Sequence, residues 1–419
     1  MPFFESSTDL PLAPASPARP LTFRLVTTRA ELESLAPAWQ ALLDESASPE
    51  PMLAPTWLLT WWRVYGEHTG RRLHVGLLYD GNQLIGMAPF CKRRYWHRPG
   101  IPMTRIEFLG ADVDENDGVC SEYLNLIACR GQEERVARQF VHELHHGSFG
   151  GWHELVLGAM NGDVAMPCLL RDAFAARGHR TECVTTTESP FLSLPANWDA
   201  YLKSLPKKRR HNVTSALRAF EAWAGSEWQL QEARDGQELE RGQQILWDLH
   251  NRRWQEADGR PGAFAASRFS AFHRAYLPQL LCEGKLDLFW LTVRGQPIAA
   301  HYQIIAHQKA YFYQCGRALD VPEKVRPGIV MVALALQRAI RQGLREFDFL
   351  GGPAFYKSEF TKTNRPIVTL RVARPGLRES LRGAGERAVT WLRNVRNRYR
   401  SGPPSVAASG AAESDTGER

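Results

Sequence analysis

One order of strand-forming and helix-forming segments is written twice along this chain, and it constrains the fold more than any single motif. In the first copy Arg72–Tyr79 is strand-like, Asp80–Gln83 is a turn, and Leu84–Phe90 is strand-like again. In the second copy Leu286–Val293 and Pro297–Ile305 flank the turn Arg294–Gln296, and a third strand follows at Ala310–Cys315. Gly81 and Gly295 give each turn its backbone freedom. A helical pattern over 132–147 then leads into His153–Leu157, and one over 328–342 leads into Glu346–Leu350. Antiparallel strands followed by a helix and a further strand make an α+β pattern, and two copies predict a tandem duplication. The repeat rests on layout, since residue identity between the copies is low.

The chain has 419 residues and a formal charge of +7, and 44% of it is hydrophobic. That composition suits a globular protein with a sizeable core. No uncharged apolar run approaches the ~18 residues of a membrane span, and Ile329–Leu336 is the longest of note. Seven cysteines without a CxxC pair read as reduced thiols in a cytoplasmic protein. The Pro-rich residues 1–20 read as a disordered leader and residues 401–419 as a disordered tail. Segment 371–400 holds nine Arg and two Glu, so the whole surplus charge can be placed there. Within it Leu377, Leu381, Ala384, Ala388, Trp391, Val395 and Tyr399 recur at helical spacing, which predicts a basic amphipathic helix over 373–400. Docking on its own domain, contact with a membrane surface at the inner face, and contact with an acidic protein are the readings of that helix. No nucleic acid is expected, because no recognised binding motif accompanies the charge.

His142-Glu143-Leu144-His145-His146 matches the HExxH zinc-peptidase string. At 100° per residue, Val136, Phe140 and Leu144 share one side of the helix and the histidines fall near the other. A solvated face is expected there, and no metal. Phosphate-loop, dinucleotide and nucleophile-elbow glycine patterns are missing.

The most informative stretch is 326–360, RPGIVMVALALQRAIRQGLREFDFLGGPAFYKSEF. Ile329, Ala333, Leu336 and Ile340 follow helical spacing, Pro327 suits a first turn, and Gly343 suits the end. A strand running into this helix start beside Arg326 predicts an anion site, with free N–H groups and the helix dipole facing the ligand. The string RPGIVMVALALQRAIRQG, then EFDFLGG, then Tyr356-Lys357 resembles the GNAT acetyltransferase superfamily. More narrowly it resembles the CelD-like branch, related to FemAB-type tandem-GNAT aminoacyltransferases. LPANWDAYLKSLPKKRRHNVTSALRAFE (194–221), RGQPIAAHYQI and the pair Arg253-Trp254 fit as well. The resemblance is strong over 190–360 and softer over 21–190. It departs from the superfamily in lacking the usual Gln/Arg-x-x-Gly-x-Gly/Ala loop, in whose place Arg326-Pro327-Gly328 stands.

The resemblance implies two GNAT-like domains, each a mostly antiparallel mixed sheet flanked by helices. The first, 21–190, is expected to be supporting and the second, 191–372, catalytic. It implies acyl transfer from acetyl-CoA or another acyl-CoA to an amine or hydroxyl of a small-molecule or glycan-precursor acceptor, in envelope or exopolysaccharide work. The acceptor would lie in the cleft between the halves. Arg326, Pro327, Gly328, Ile329 and Val330 would hold the donor. Asp348 is a base or a structural anchor, His301 a base or a core histidine, and Tyr356 a proton donor. Lys357 would bind an anionic group or pair with Asp348. Arg210, within the cationic helix start Lys207–His211, and Trp254 would contact substrate. Trp57, Trp61 and Trp62 are expected to pack the first half. A FemAB-like aminoacyltransferase using aminoacyl-tRNA, and a non-catalytic GNAT-fold binding protein, are the alternatives.

Overall fold

The computed structural model describes residues 20–97, 100–111, 118–352 and 355–384. The first half runs β1 (Thr22–Val26), α1 (Arg29–Ser34), α2 (Ala36–Asp44), α3 (Pro55–Trp61), β2 (Arg72–Leu73), β3 (Val75–Asp80), β4 (Gln83–Ala88), β5 (Phe90–His97) and β6 (Ile101–Phe108). It continues through β7 (Ile127–Ala128), α4 (Glu133–His146), β8 (Glu154–Asn161), α5 (Met166–Ala175) and β9 (Arg180–Ser193). The second half runs α6 (Trp198–Ser204), α7 (Lys207–Ala224), β10 (Trp228–Glu232), α8 (Gly236–Asp258), α9 (Ser267–Cys282), β11 (Leu286–Val293), β12 (Gln296–Ala306) and β13 (Lys309–Arg317). It ends with α10 (Pro327–Arg341), β14 (Glu346–Asp348) and β15 (Asn364–Ala373).

The strands form a four-stranded sheet, β1-β3-β4-β7, and an eleven-stranded one, β10-β11-β12-β13-β14-β9-β15-β8-β6-β5-β2. Most pairs are antiparallel. β6 with β8 and β13 with β14 are parallel, each with a helix in the intervening chain, as parallel pairs require. The long sheet does not break between the halves. β9 pairs with β14 at Phe191–Ser193 and with β15 over Arg180–Pro190, so residue 190 lies inside a strand that both halves use. β15, late in the chain, sits between β9 and β8 of the first half.

Local chemistry explains where strands stop. The expected strand Leu84–Phe90 divides at Pro89, which has no N–H for the ladder and accepts from Leu109 N instead (2.8 Å). Arg72–Tyr79 divides at His74, whose N–H turns to Phe90 O (3.1 Å). Glu346–Leu350 stops at Asp348, because the Asp348 carboxylate accepts the Leu350 N–H (2.8 Å) and Leu350 takes a left-handed φ of 53°. Helix α4 buries Val136, Phe140 and Leu144 and exposes His142, His145 and His146. Each fully buried side chain of this kind contributes about 1.5–3 kcal/mol.

The tryptophans correct one expectation. Trp57 does not pack the first half alone: its ring meets Phe272, Tyr276 and Tyr313 of the second half at 4.8–5.7 Å. Its indole N–H donates to Ser121 Oγ (2.9 Å). The core is one continuous cluster through both halves.

Candidate active site

β13 and β14 pair through only three registers, Lys309–Glu346, Ala310–Phe347 and Tyr311–Asp348. β14 then ends, while β13 continues to Arg317. A register shift opposite Tyr302 and Gln303 leaves Tyr313 as an extra residue and turns the strand there. Along Phe312–Arg317, no strand among the described residues pairs with the edge that faced β14. That edge runs to the start of α10. Arg326 caps the helix in a left-handed conformation (φ 50°) and Pro327 opens the first turn. A Cβ on Gly328 would lie 3.3 Å from Arg317 Cδ, so glycine lets the Arg317 side chain lie against the helix start. The first turn carries no acidic residue.

Two cations meet here, Arg317 and Arg253, beside the α10 cap at Arg326. Arg317 is half-buried, and its guanidinium is held below its ordinary pKa first by burial and then by Arg253. Arg253 stacks on Trp254 of α8, 4.4 Å from the ring centroid. Among the described residues, Arg253, Arg317 and Arg326 have no carboxylate partner. Like charges held together without counter-charges, beside the positive end of a helix, favour an anion.

Ile329 and Val330 are buried, and their N–H groups both go to Arg326 O (2.9 and 3.2 Å). Of the five residues expected to hold the donor, these two therefore shape the helix start from inside. Pro327 has no N–H, which leaves Gly328 N–H and Arg326 to meet a ligand.

The loop after β14 is tied to the first half. Asp348 is fully buried. It accepts from Tyr123 Oη (2.7 Å), Ser189 Oγ (3.1 Å), Leu350 N (2.8 Å) and Arg365 Nη1 (2.8 Å). Burial lifts its carboxyl to about 6, against the pull of these donors, so it is a carboxylate at neutral pH. Arg365 also reaches Glu346, and these carboxylates raise its pKa against the cost of burial. Glu122 accepts the Gly351 N–H (2.6 and 2.8 Å). Lys357 does not pair with Asp348; Arg365 does. Lys357 Nζ donates to Leu350 O (2.9 Å) and Gly351 O (2.6 Å), and burial lowers its pKa while Glu122 opposes. Tyr356 lies beside the thiol of Cys315 on the free stretch of β13, and burial pushes its hydroxyl up.

The structure therefore brings Tyr356, Lys357, Arg326, Gly328 and Trp254 to the open end of β13. It sets His301 apart. That ring is fully buried among Phe289, Phe312 and Phe347, its Nε2 meets Gln303 Oε1 (3.0 Å), and burial lowers its pKa to about 3. It is a neutral core histidine. Arg210 lies half-buried in the first turn of α7, where neighbouring Arg209 donates to Thr361 O (3.2 Å). No three His, Cys, Asp or Glu side chains among the described residues converge as a metal site. Reading the sequence missed Arg317, because the strand was ended at Cys315. Tyr123, Glu122 and Arg365 were also missed, for they meet Asp348 and its loop only through tertiary packing, the first two from the β6–β7 connection and Arg365 from β15.

A family profile described as an acetyltransferase (GNAT) domain matches residues 207–358. No curated protein sequence matches the chain. Among solved structures, FemX is similar at 11% identity, covering 83% of this chain and 96% of its own, with a TM-score of 0.54. The C-terminal domain of a putative lysylphosphatidylglycerol synthetase from Agrobacterium fabrum aligns at 11% identity over 86% and 96%, with a TM-score of 0.48. A tandem GNAT protein from the clavulanic acid biosynthesis pathway aligns at 13% identity over 85% and 100%, with a TM-score of 0.43. At such identities the FemX likeness shows fold alone. The fold is the α+β arrangement of mixed, mostly antiparallel sheets flanked by helices, and a GNAT domain occupies most of the second half.

Proposed function

We propose that this protein is an acyltransferase that takes its acyl group from acyl-CoA at the open end of β13 and passes it to an amine or hydroxyl. One observation carries the reading: β13 parts from β14 after three registers, and its last residue, Arg317, lies against Gly328 at the start of α10, which Arg326 caps. Acyl-CoA has chemistry matching both ends. The amides of its arm suit an unpaired strand edge, and its phosphates suit Arg317, Arg326, Arg253 and the Gly328 N–H. The thioester then falls near Cys315 and Tyr356. As the C–S bond breaks and the new C–N or C–O bond forms, Tyr356 would give a proton to the leaving thiolate and regain one from the proton the acceptor loses, while a strand N–H polarises the carbonyl. Asp348, whose acceptors are all taken by protein donors, is a positioning residue. It holds the loop of Tyr356 and Lys357 against Tyr123 of the first half. The CelD-like character of 326–360 favours a glycan-precursor or envelope acceptor, reached from the side of Glu122 and Lys357.

Calorimetry with acetyl-CoA and longer acyl-CoAs tests this. Binding by the wild-type chain, weakened in Arg317→Ala and Arg326→Ala, is the expected result. Failure to bind any acyl-CoA overturns the reading. Turnover in Tyr356→Phe equal to wild type removes that residue from proton transfer. A second reading, transfer from aminoacyl-tRNA, is favoured by Lys207, Lys208, Arg209 and Arg210, which open α7 exposed or half-buried. A steep loss of tRNA binding with salt would mark it.

A further inference from the structure

Four large apolar side chains among the described residues are exposed, and three of them, Trp96, Leu377 and Leu381, belong to one end of the long sheet. Trp96 is 73% exposed near the tip of the β5–β6 hairpin, paired in register with Pro102. The helix expected over 373–400 begins instead at Leu377, because β15 runs to Ala373; residues 377–384 are helical, and the rest of that segment lies outside the described residues. Residues 377–384 are fixed to the hairpin by Arg378, whose Nη1 donates to Pro102 O (3.3 Å) and lies 2.6 Å from His153 Nε2. Arg374 N reaches His153 O (3.0 Å) from the same turn of chain.

This helix is docked inside out. Its buried face is polar: Glu379 accepts from Arg371 (2.8 Å) and Arg382 (2.7 Å), and Glu379 and Arg382 are both buried. Leu377 (76% exposed) and Leu381 (50%) face away from the protein. A helix on a globular surface ordinarily turns its apolar stripe to the core. The reverse orientation, held by satisfied ion pairs, leaves that stripe for an apolar phase outside the molecule.

The charge around the stripe says which phase. Arg94 is exposed on the face of β5 that carries Trp96. Two carboxylates at this end, Glu154 and Glu379, are taken up in ion pairs with Arg105, Arg371 and Arg382. The sequence from 385 to 400 adds five Arg against one Glu, with Trp391 and Tyr399. A Trp and two Leu amid arginines match the interfacial zone of a bilayer, where indoles anchor and anionic headgroups attract guanidinium groups.

We infer that this end of the molecule, formed by the β5–β6 hairpin and the helix beginning at Leu377, docks on the surface of an anionic lipid bilayer through Trp96, Leu377 and Leu381. The surface is separate from the open end of β13, and its occupancy is read without any acyl donor.

The test is co-sedimentation of the full chain with vesicles of phosphatidylcholine alone and of phosphatidylcholine with phosphatidylglycerol. Binding to the anionic vesicles, falling with added salt, is expected. Trp96→Ser combined with Leu381→Ser should lower the partition coefficient about tenfold or more, with an unchanged thermal melt. Val184→Ser, which removes the fourth exposed apolar side chain, on β9, should leave it unaltered. The inference is overturned if wild type does not bind anionic vesicles. It is equally overturned if it binds both vesicle types alike at every salt concentration, or if the folded double variant binds as wild type does. Capture of a soluble acidic protein without vesicle binding would assign the surface to that partner and also overturn it.

Discussion

Each half contains a parallel strand pair, and the two helices preceding the second strand of each pair differ at their starts. β6 pairs with β8 through three registers, as β13 does with β14. α4, before β8, opens with Glu133 and Glu134, and its Glu133 accepts from Gly131 N (3.1 Å). α10, before β14, opens with no acid and with Arg317 against Gly328. One backbone device thus carries opposite charge. The positive end of α4 is answered by its own carboxylates, and that of α10 is left for a ligand. The space beside the two pairs differs too. Leu124 N donates to Ala159 O of β8 (3.0 Å), so the chain itself takes a position along that strand, whereas the edge of Phe312–Arg317 away from β12 meets no strand among the described residues. The two halves share a parallel pair with a helix before its second strand, and the charge at that helix start differs.

The comparison can be broken where the halves meet. Trp57→Ala should lower stability by about 3–5 kcal/mol, read by urea denaturation, because the indole fills space between the halves. A cost below about 1 kcal/mol would show that the halves stand independently. Asp348→Ala strands Arg365 and should cost a similar ~3–5 kcal/mol. Asp348→Asn, keeping the shape, should cost less in the same titration.

The electrostatic contrast is sharpened at the helix starts. Arg317→Ala should weaken acyl-CoA about 10- to 100-fold, the value of a charged hydrogen bond converted to affinity. Glu133→Gln with Glu134→Gln should leave that affinity within about twofold, as surface changes away from a site do. An equal loss in both would mean that the first half also binds the donor.

The smallest effect concerns the helix at Leu377. Arg382 and Arg371 hold Glu379 down at about 2, against the cost of burial. A carboxyl lowered in the folded state stabilises above its unfolded pKa and loses that contribution as pH falls toward the folded one. Protection of residues 377–384 in hydrogen exchange should therefore decline between about pH 4.5 and pH 2. Glu379→Gln should lack that decline.

Much of the fold was legible. The turns at Gly81 and Gly295, helices α4 and α10, and the β11–β13 meander follow from local periodicity and turn chemistry, which act over a few residues. Strand ends were less legible, because Pro89 and the Asp348–Leu350 turn stop their strands through partners or side-chain bonds. At the site, Tyr356, Arg326 and Gly328 could be found from a linear string. His301 could not be sorted from a base, since its burial depends on Phe289, Phe312 and Phe347, each on a different strand. The stripe of Leu377 and Leu381 was visible, but which way it faces was not.

The sequence by itself determined the repeated order of elements and a helix start at Arg326-Pro327-Gly328, since propensity, glycine placement and charge are local properties. Only the tertiary structure decided that β15 enters the first half's side of the sheet, that Tyr123 and Arg365 share Asp348, and that Arg317 lies on Gly328. Those contacts join residues up to 225 positions apart. They follow from how the long sheet, the β6–β7 connection and the start of α10 pack together, and no pattern of neighbours along a chain records which distant edges will meet.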